Sequence, residues 1–456
     1  MSQAATRSAT PGTEVVHDPD TYVRGAPLAV LDELRETGDG IHWVEEPPLD
    51  GLPAGPGYWL VTRYDDVRAV LRDPTTFSSY AGATQVRDPA TPADLAYVRR
   101  MMLNMDPPDH SRLRKPMTRS FTMRAVARLE EQIGGHVDRI LDRALREPGV
   151  VDFAKEIAAD LPLLTLADVL GVPREDRLLL FDWSNRVIGF QDPDYATSAA
   201  FDPATGTDIA RQAYVLRPEP DAEGRMPDPR SREGMPDLYA YAHLLAERKR
   251  RQPGDDVMSI WLREGLDDGD EVATEEFENM FWLFAVAGNE TLRNGLPGSL
   301  YALLTHPLAQ RRLRAEPALL DTAVDELLRW WTPVMVFRRT ASADRVIGEH
   351  AIAAGDKVVV SFLAANRDPR AFEAPDELRL DRTGRQHLVF GHGPHLCLGA
   401  HLARVQVRAM LGELLRRTAW LGPAGDPVLL RSSFQRGIKR LPVSWSGVTP
   451  GSATRR

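Results

Sequence analysis

Cysteine is almost missing from this 456-residue chain, which contains a single one, Cys397. One thiol cannot close an internal disulfide, and chains without disulfides are typical of a reducing compartment. No segment approaches the roughly 20 consecutive apolar residues that a membrane-spanning helix requires. The first twenty residues also lack the apolar core of a secretory signal. We therefore expect a cytoplasmic protein without a membrane span.

An excess of positive charge is lacking as well. Lysine and arginine total 56 against 65 acidic residues, which gives a formal net charge of −9. Proteins that bind nucleic acid need a basic face for the phosphates, so this balance argues against nucleic acid as the main partner. Hydrophobic residues make up 43% and charged residues 27% of the chain, which is typical of a globular protein.

Neither an internal repeat nor a Gly/Ser-rich linker divides the chain, which predicts one domain over residues 21–448. A flexible leader over 1–20 and a flexible tail over 449–456 would flank it. Between residues 192 and 236 regular periodicity gives way to Pro, Gly, Asp and Ala. A stretch of this length is either a lid over a binding site or a disordered surface insert, and both interpretations are open.

Helical periodicity dominates the rest of the chain. Apolar residues recur at helical spacing in three long segments, 124–145, 237–251 and 398–417. Only 57–63 and 356–365 are strand-like. The fold class is therefore predicted to be mainly α with a small β portion.

The single cysteine lies in a loop rich in glycine and histidine, HLVFGHGPHLCLGAHLAR, just before a segment of helical periodicity. A helix N-terminus favours a thiolate, and the glycines Gly391, Gly393 and Gly399 let the backbone approach a flat ligand closely. Such a thiolate is a good metal ligand. Two other interpretations are open. One is a buried apolar cysteine without function. The other is a zinc site with the nearby histidines, which fits poorly because structural zinc usually has several cysteines.

The loop also has the pattern F-G-x-G-x-H-x-C-x-G, which resembles the haem-ligand loop of the cytochrome P450 family. The resemblance implies the cytochrome P450 fold, with haem b held between a long central helix and the cysteine-loop helix. It makes Cys397 the thiolate ligand of the iron. By the same resemblance, His395 would hydrogen-bond a haem propionate, Phe390 would pack beside the sulfur, and Gly399 would belong to the cofactor-binding loop.

A second motif lies upstream, where Glu326 and Arg329 stand at i and i+3 in DELLRWWTPV. This spacing puts both charges on one helix face, and alone it would be a surface pair contributing less than about 1 kcal/mol. In this position it resembles the structural Glu–Arg pair of the P450 family, whose third member would be Arg382 in PDELRLDR. The family usually has Phe where this chain has Leu378.

A third motif, DPPDHSRLRKPM, places His110 and Arg114 at i and i+4. The pair could be only a basic helix face. By resemblance it is the helix that clamps the haem propionates, a task suited to charge-assisted hydrogen bonds. Arg339, in FRRTA, matches a further propionate partner. Together with His395, these residues would neutralise two carboxylates.

The central helix is predicted over 274–296, with Phe277, Phe281, Phe284, Gly288, Thr291 and Gly295 on one face. Aromatic residues at this spacing are usually core. A glycine in mid-helix costs about 1 kcal/mol relative to alanine, and a threonine hydroxyl can bond to the preceding turn. Together they allow a local opening that admits water.

AGNET, within this helix, resembles the oxygen-activating segment of the family, with Glu290 and Thr291 as the catalytic acid and alcohol. Downstream, Gly295, Pro297 and Gly298 predict a kink or an early helix end near Arg293.

The resemblance implies a haem-thiolate monooxygenase that activates O2 to hydroxylate, or otherwise oxidise, a lipophilic small molecule such as a sterol, terpenoid or polyketide-type natural product. The thiolate would favour O–O cleavage, and Glu290 with ordered water would supply protons as a general acid. Desaturation, rearrangement or oxidative coupling would use the same haem chemistry and is an alternative. A non-catalytic haem binder or sensor is a remote alternative, because it would not need Glu290 and Thr291.

Electrons must come from another protein, because no G-x-G-x-x-G follows a strand. The resemblance implies a ferredoxin and a ferredoxin reductase, and we expect a monomer. Basic residues that could face the ferredoxin, or be solvated surface charges, are Arg112, Lys115, Arg119, Arg404 and Arg408.

Residues that contact the substrate are expected from three apolar segments. They are Met101, Met102, Leu103, Phe284, Ala287, Val334, Met335 and Phe337. A partly Met-rich lining favours adaptable packing around a bulky lipophilic substrate, although the same side chains could be ordinary core.

Overall fold

The computed structural model describes residues 8–49, 52–147, 149–188, 192, 201–222, 224, 226–266 and 269–448. Within these ranges, no helix combines the length and the hydropathy needed to cross a bilayer. Helices make up most of the regular structure and strands the smaller part, so the predicted mainly α fold class is confirmed.

The helices, numbered in chain order, are α1 Thr13–His17, α2 Pro19–Tyr22, α3 Leu28–Glu36, α4 Tyr64–Arg72, α5 Pro92–Val98, α6 Asp109–Ser120, α7 Met123–Ala144, α8 Asp160–Leu170, α9 Arg177–Ile188, α10 Asp208–Tyr214, α11 Pro236–Arg251, α12 Val257–Glu264, α13 Thr274–Thr305, α14 Pro307–Ala315, α15 Leu320–Trp331, α16 Phe362–Ala365 and α17 Ala400–Arg417. The strands are β1 Ile41–Val44, β2 Tyr58–Val61, β3 Phe77–Ser78, β4 Val150–Asp152, β5 Val336–Ala341, β6 Arg345–Ile347, β7 His350–Ile352, β8 Lys357–Ser361, β9 Thr418–Pro423, β10 Val428–Leu429, β11 Ile438–Arg440 and β12 Pro442–Val448.

The largest sheet has five strands in the order β1-β2-β8-β5-β3. Its central strands β2 and β8 are parallel, and every residue of both is buried. Three consecutive valines in β8 suit a strand that is covered on both faces. The strand-like segment 356–365 is only half strand, because α16 begins at Phe362 with the Ser361 hydroxyl as its N-cap.

The central helix α13 packs against α8, α9, α11 and α15. It continues to Thr305, so the prediction of a helix end near Arg293 is wrong. The glycines that suggested an end instead allow close packing. A Cβ on Gly298 would lie 2.1 Å from Cγ of Trp331 on α15, so only glycine permits this helix–helix distance, and tertiary packing overrides the unfavourable helix propensity of Pro297.

The predicted flexible leader is wrong for residues 13–20, which form α1 and α2 on the surface of the large sheet. Val16 and His17 are both buried. The Thr10 N–H donates to the Trp43 carbonyl at 3.1 Å, and the Tyr22 hydroxyl donates to the Val16 carbonyl at 3.0 Å. The predicted tail, 449–456, lies outside the described residues.

The segment 192–236 is not structureless where it is described, since it contains a 3-10 turn and α10. Two of its charged residues pair with other parts of the protein. Asp192 pairs with Lys439 at 2.7 Å, and Arg217 pairs with the buried Asp182 of α9 at 3.0 Å. Residues 193–200, 223 and 225 lie outside the described part.

Replacement of Gly298 by alanine tests the packing of α13 on α15. Trp331 is buried and its indole N–H donates to the Arg436 carbonyl at 2.9 Å, so it cannot yield to a new methyl group. We expect Gly298→Ala to lower the free energy of unfolding by about 1–3 kcal/mol, measured by thermal unfolding. The matched control is Gly295→Ala, whose Cβ would make an ordinary 3.4 Å contact with Pro333. Equal stability of the two variants would contradict the interpretation.

Candidate active site

The cysteine loop is closed by its own backbone just before α17. The Cys397 N–H donates to the Phe390 carbonyl at 2.8 Å. Gly391 and Gly393 have φ values of 73° and 72°, the left-handed region that favours glycine. A Cβ on Gly393 would also lie 2.3 Å from the carbonyl oxygen of Leu71. The loop therefore requires glycine at 393 for both conformation and space.

The Cys397 side chain has accessible surface, yet enough protein surrounds the sulfur that burial raises the pKa of the thiol. The Gly399 N–H, Arg114 and Arg404 lower that pKa by less. The sequence analysis expected the helix N-terminus to favour a thiolate, and desolvation outweighs that effect here. The positive charge of a bound metal would favour the ionised thiolate.

The predicted propionate-binding residues come together from three separate segments. The rings of His110 and His395 are 4.2 Å apart between centroids. Arg114 donates to the Leu396 carbonyl inside the cysteine loop, and the buried Arg339 donates to the Arg338 carbonyl at 2.8 Å. The structure thus collects four basic or hydrogen-bond-donating side chains beside Cys397.

The charge of this cluster is poorly compensated by the protein itself. Burial, helped by neighbouring cations, lowers the pKa of His110 to about 4 and that of His395 to about 2. Burial also lowers the pKa of Arg339 to about 10. His110 is only 2% exposed, and among the described residues neither of its ring nitrogens has a hydrogen-bond partner. Buried polar atoms are rarely left in this way, so the cluster fits a ligand that brings its own carboxylates.

The predicted structural triad is also assembled. Arg329 donates two hydrogen bonds to Glu326, from Nε to Oε2 at 2.6 Å and from Nη2 to Oε1 at 2.9 Å. Arg382 adds a third from its Nε at 2.9 Å. Glu326 and Arg329 are almost completely buried, so this is an internal ion pair and not a surface one.

Glu290 and Thr291 face different surroundings on α13. Glu290 is completely buried and lies 3.3 Å from Nη1 of Arg293, which donates to Oδ1 of Asn185 on α9 at 2.5 Å. Thr291 is partly accessible, and its hydroxyl donates to the Ala287 carbonyl at 2.9 Å. The helix is continuous at this point, so the predicted local opening is wrong, and the Thr291 hydroxyl bonds to a carbonyl of the preceding turn within regular helix.

Comparison with known proteins identifies the family. Residues 243–441 match the family model described as Cytochrome P450. The chain is 34% identical to a steroid C26-monooxygenase of Rhodococcus jostii strain RHA1, over 96% of this chain and 86% of the relative. The chain belongs to the cytochrome P450 family. This P450 is also 36% identical to a methyl-branched lipid omega-hydroxylase of Mycobacterium tuberculosis strain H37Rv, over 87% of this chain and 86% of that protein.

Solved structures agree with this assignment. A cytochrome P450 of Mycobacterium marinum in complex with pseudoionone has a TM-score of 0.81 and 33% identity, covering 97% of this chain and 100% of that chain. A Bacillus megaterium P450 in complex with testosterone has a TM-score of 0.75 and 27% identity, covering 95% of this chain and 99% of that chain. The present P450 is thus a monooxygenase, and its cofactor is haem b.

Two of the predicted substrate residues, Met101 and Leu103, line a cavity of this P450. Val336 of β5 also lines the cavity. Phe337 points to the opposite face of the strand and packs on Phe362, with ring centroids 6.0 Å apart. This difference follows from the two-residue alternation of a strand. Ala287 is exposed on the side of α13 that carries Thr291.

The other predicted substrate residues lie outside the lining of this cavity. Phe284 stacks on Phe121 with centroids 5.8 Å apart. Met102 and Met335 are core residues, and Val334 forms a β-bridge with Gln435. Apolar side chains next to a cavity are also next to the core, and the sequence does not say which of the two they join.

Sequence reasoning missed part of the cavity wall. It includes Trp282 of α13, Val187 of α9 and Phe434, together with the polar residues His17, Arg87 and Arg230. Phe434 follows a short polar stretch, and His17 belongs to the supposed leader. No local pattern in the sequence marks these residues, because they reach the cavity only through long-range folding.

Three of the five basic residues considered for a ferredoxin site form ion pairs. Arg112 pairs with Glu276 at 2.6 Å, and Arg404 pairs with Asp325 at 2.7 Å while its guanidinium lies over the ring of Phe390. Arg408 contacts Glu130 at 3.0 Å and Asp321 at 3.2 Å. Lys115 and Arg119 are exposed on α6. The positive charge of this face is therefore partly neutralised within the protein.

Haem retention tests the propionate cluster. Charge-assisted hydrogen bonds contribute about 1.5–3 kcal/mol, so we expect Arg114→Met to weaken haem binding by about ten- to a hundredfold. The measurement is the rate of haem transfer to apomyoglobin. Lys115→Met is the matched control, because it removes a neighbouring, exposed charge of the same sign. Equal transfer rates for the two variants would exclude Arg114 as a haem partner.

Loss of Glu326 tests the triad. Glu326→Ala leaves two buried arginines without their carboxylate, so we expect a loss of about 3–5 kcal/mol in the free energy of unfolding. Glu373, which contacts Arg379 at 3.4 Å with its side chain 87% exposed, supplies the control. Glu373→Ala should cost less than about 1 kcal/mol. A comparable loss in both variants, measured in urea, would show that the triad contributes no more than a surface pair.

Proposed function

We propose that this P450 hydroxylates a sterol or a branched lipid near the end of its alkyl chain. The single observation that carries the proposal is the identity of 34–36% along most of the chain to a steroid C26-monooxygenase and a methyl-branched lipid omega-hydroxylase. The apolar lining of the cavity, which includes Met101, Leu103 and Val336, supports a lipophilic substrate.

When bound, haem b supplies the activation of O2 and the cleavage of the O–O bond. In our proposal Cys397 would hold the haem iron through its thiolate, and Phe390 and Gly399 would shape the loop around it. His110, Arg114, Arg339 and His395 would hold the propionates, a role supported by the two guanidinium groups and by the unpaired ring nitrogens of His110.

The proposed proton donors are Thr291 and Glu290. The Thr291 hydroxyl is bonded to the Ala287 carbonyl at 2.9 Å, and rotation about its Cα–Cβ bond would redirect it toward the substrate side. Glu290 is a buried carboxylate held by Arg293, and it can pass protons as a general acid once water reaches it. Electrons would come from a ferredoxin and its reductase, docking near the exposed Lys115 and Arg119, and the protein would work as a monomer.

Binding and product analysis test the proposed substrate class. Purified holoprotein is titrated with a sterol, a methyl-branched lipid, a terpenoid and a polyketide lactone, and the shift of the haem iron to high spin is recorded. We expect saturable shifts with the sterol or the branched lipid, and a hydroxylated product that contains oxygen from labelled O2. Saturable binding of only the lactone or the terpenoid would overturn the proposal.

The role of Thr291 is tested by uncoupling. Thr291→Ala removes the hydroxyl but leaves the ligand loop intact, so substrate binding should persist while peroxide formed per electron pair rises several-fold. Thr291→Ser is the matched control, since it keeps the hydroxyl and should remain coupled. If Thr291→Ala stays as tightly coupled as the wild type, the proposed role is wrong.

A further inference from the structure

The cavity lined by Met101 and Leu103 has a polar end whose charged side chains are all positive. Its ionisable side chains are Arg87, Arg230 and His17, and none of the described residues lining it is Asp or Glu. Lipophilic cavities are usually lined by apolar groups with only a few polar ones that fix orientation. The wall thus carries two arginines while none of its described residues is acidic, and this arrangement needs a physical explanation.

Arg87 lacks a full partner for its charge. Its Nη1 donates to the Pro53 carbonyl at 2.7 Å and its Nη2 to Nε2 of His17 at 3.1 Å, and both acceptors are neutral. Its buried Nε has no hydrogen-bond partner among the described residues. Among the described residues, the nearest carboxylate is that of Glu46, whose Oε1 forms an ion pair with Nε of Arg87 at 3.6 Å. Both oxygens of Glu46 already accept from Nζ of Lys357, at 3.0 and 2.8 Å.

The remaining carboxylates near this end are engaged elsewhere. Asp88 contacts Lys357 at 2.8 Å and also pairs with Arg338. Asp228 forms a two-oxygen contact with Arg230. Among the described residues, three cations (Arg87, Lys357 and Arg338) are connected by ion pairs to two carboxylates (Glu46 and Asp88), and Arg230 pairs separately with Asp228. Arg87 lines the cavity, and the carboxylate that it contacts, Glu46, also pairs with Lys357.

The state of His17 agrees with a positive potential at this point. Burial, then Arg87 and Lys357, lower the pKa of His17 to about 4, against a smaller opposing effect of Asp18. His17 is therefore neutral near pH 7 and adds a hydrogen-bonding group without more charge. Asp18 does not line the cavity, and its carboxylate accepts from the Asp20 N–H at 2.8 Å.

We propose that the polar end formed by Arg87, Arg230 and His17 binds a carboxylate of the substrate, so that this P450 acts on lipophilic acids. The inference rests on the proposed function and narrows its substrate class. A carboxylate would compensate the positive charge that the described carboxylates leave in excess at this end, which a sterol hydroxyl or ketone could do only in part. With the carboxylate bound at this end, the hydrocarbon chain would fill the apolar part of the cavity. The carbon that is oxidised would then be distant from the carboxylate.

The test compares a methyl-branched long-chain fatty acid with its own methyl ester and with a neutral sterol. Binding to the purified holoprotein is followed by the spin-state shift of the haem. We expect the acid to bind about ten- to a hundredfold more tightly than the ester, because one charge-assisted contact contributes about 1.5–3 kcal/mol. In Arg87→Gln this preference should fall to within about twofold, while the ester binds as in the wild type.

Controls separate the anionic site from general effects. Arg230→Gln provides a second variant of the same end and should reduce the preference for the acid as well. Arg311→Gln, which removes an exposed arginine of α14, should leave the preference unchanged. Equal binding of acid and ester by the wild type, or a preference that survives both cavity variants, would overturn the inference and leave the proposed lipid hydroxylase standing. Failure of acid, ester and sterol alike would overturn the proposed function together with the inference.

Discussion

The buried pairing of Glu326 with Arg329 sets the position of the cysteine loop. Arg329 also donates from Nη1 to the Asn366 carbonyl at 2.7 Å, and the side chain of Asn366 accepts from the N–H of Leu388 at 2.6 Å. Leu388 opens the loop that leads to Cys397. Three successive buried contacts therefore connect the ion pair on α15 to the metal-ligand loop, and in a close-packed interior a shift at one end is transmitted to the other.

The same loop lies against a group of buried basic side chains whose protonation the protein disfavours. Burial and the neighbouring arginines lower the pKa of His110 and of His395, and burial lowers the pKa of Arg339. In our proposal, two propionates would supply acceptors for this group. Because a ligand that binds only the folded state stabilises it by mass action, a haem held by these side chains would offset the cost of burying them.

The residues of the proposed haem site could be found from the sequence, whereas most of the cavity wall could not. Cys397, His110 and Arg114 belong to short motifs that resemble those of the P450 family, and the structure brings these motifs together. The course of α13 past Pro297 and the burial of His17 depend on tertiary packing, which propensity does not capture. A surface insert and a leader have a similar amino-acid composition whether or not they pack against the rest of the protein. Fold and chemistry could therefore be predicted while most of the cavity wall could not.

The position of the proposed acid depends on two helices and not on α13 alone. Asn185 of α9 accepts from Arg293, which pairs with Glu290, and the next residue back, Ser184, accepts from the Asn289 side chain at 2.8 Å. The helix α9 also contributes Val187 to the cavity wall. One element therefore contacts both the cavity and the hydrogen-bond partners of the buried Glu290 carboxylate. In our proposal, where the cavity holds the substrate and Glu290 supplies protons, α9 is the element that connects the two.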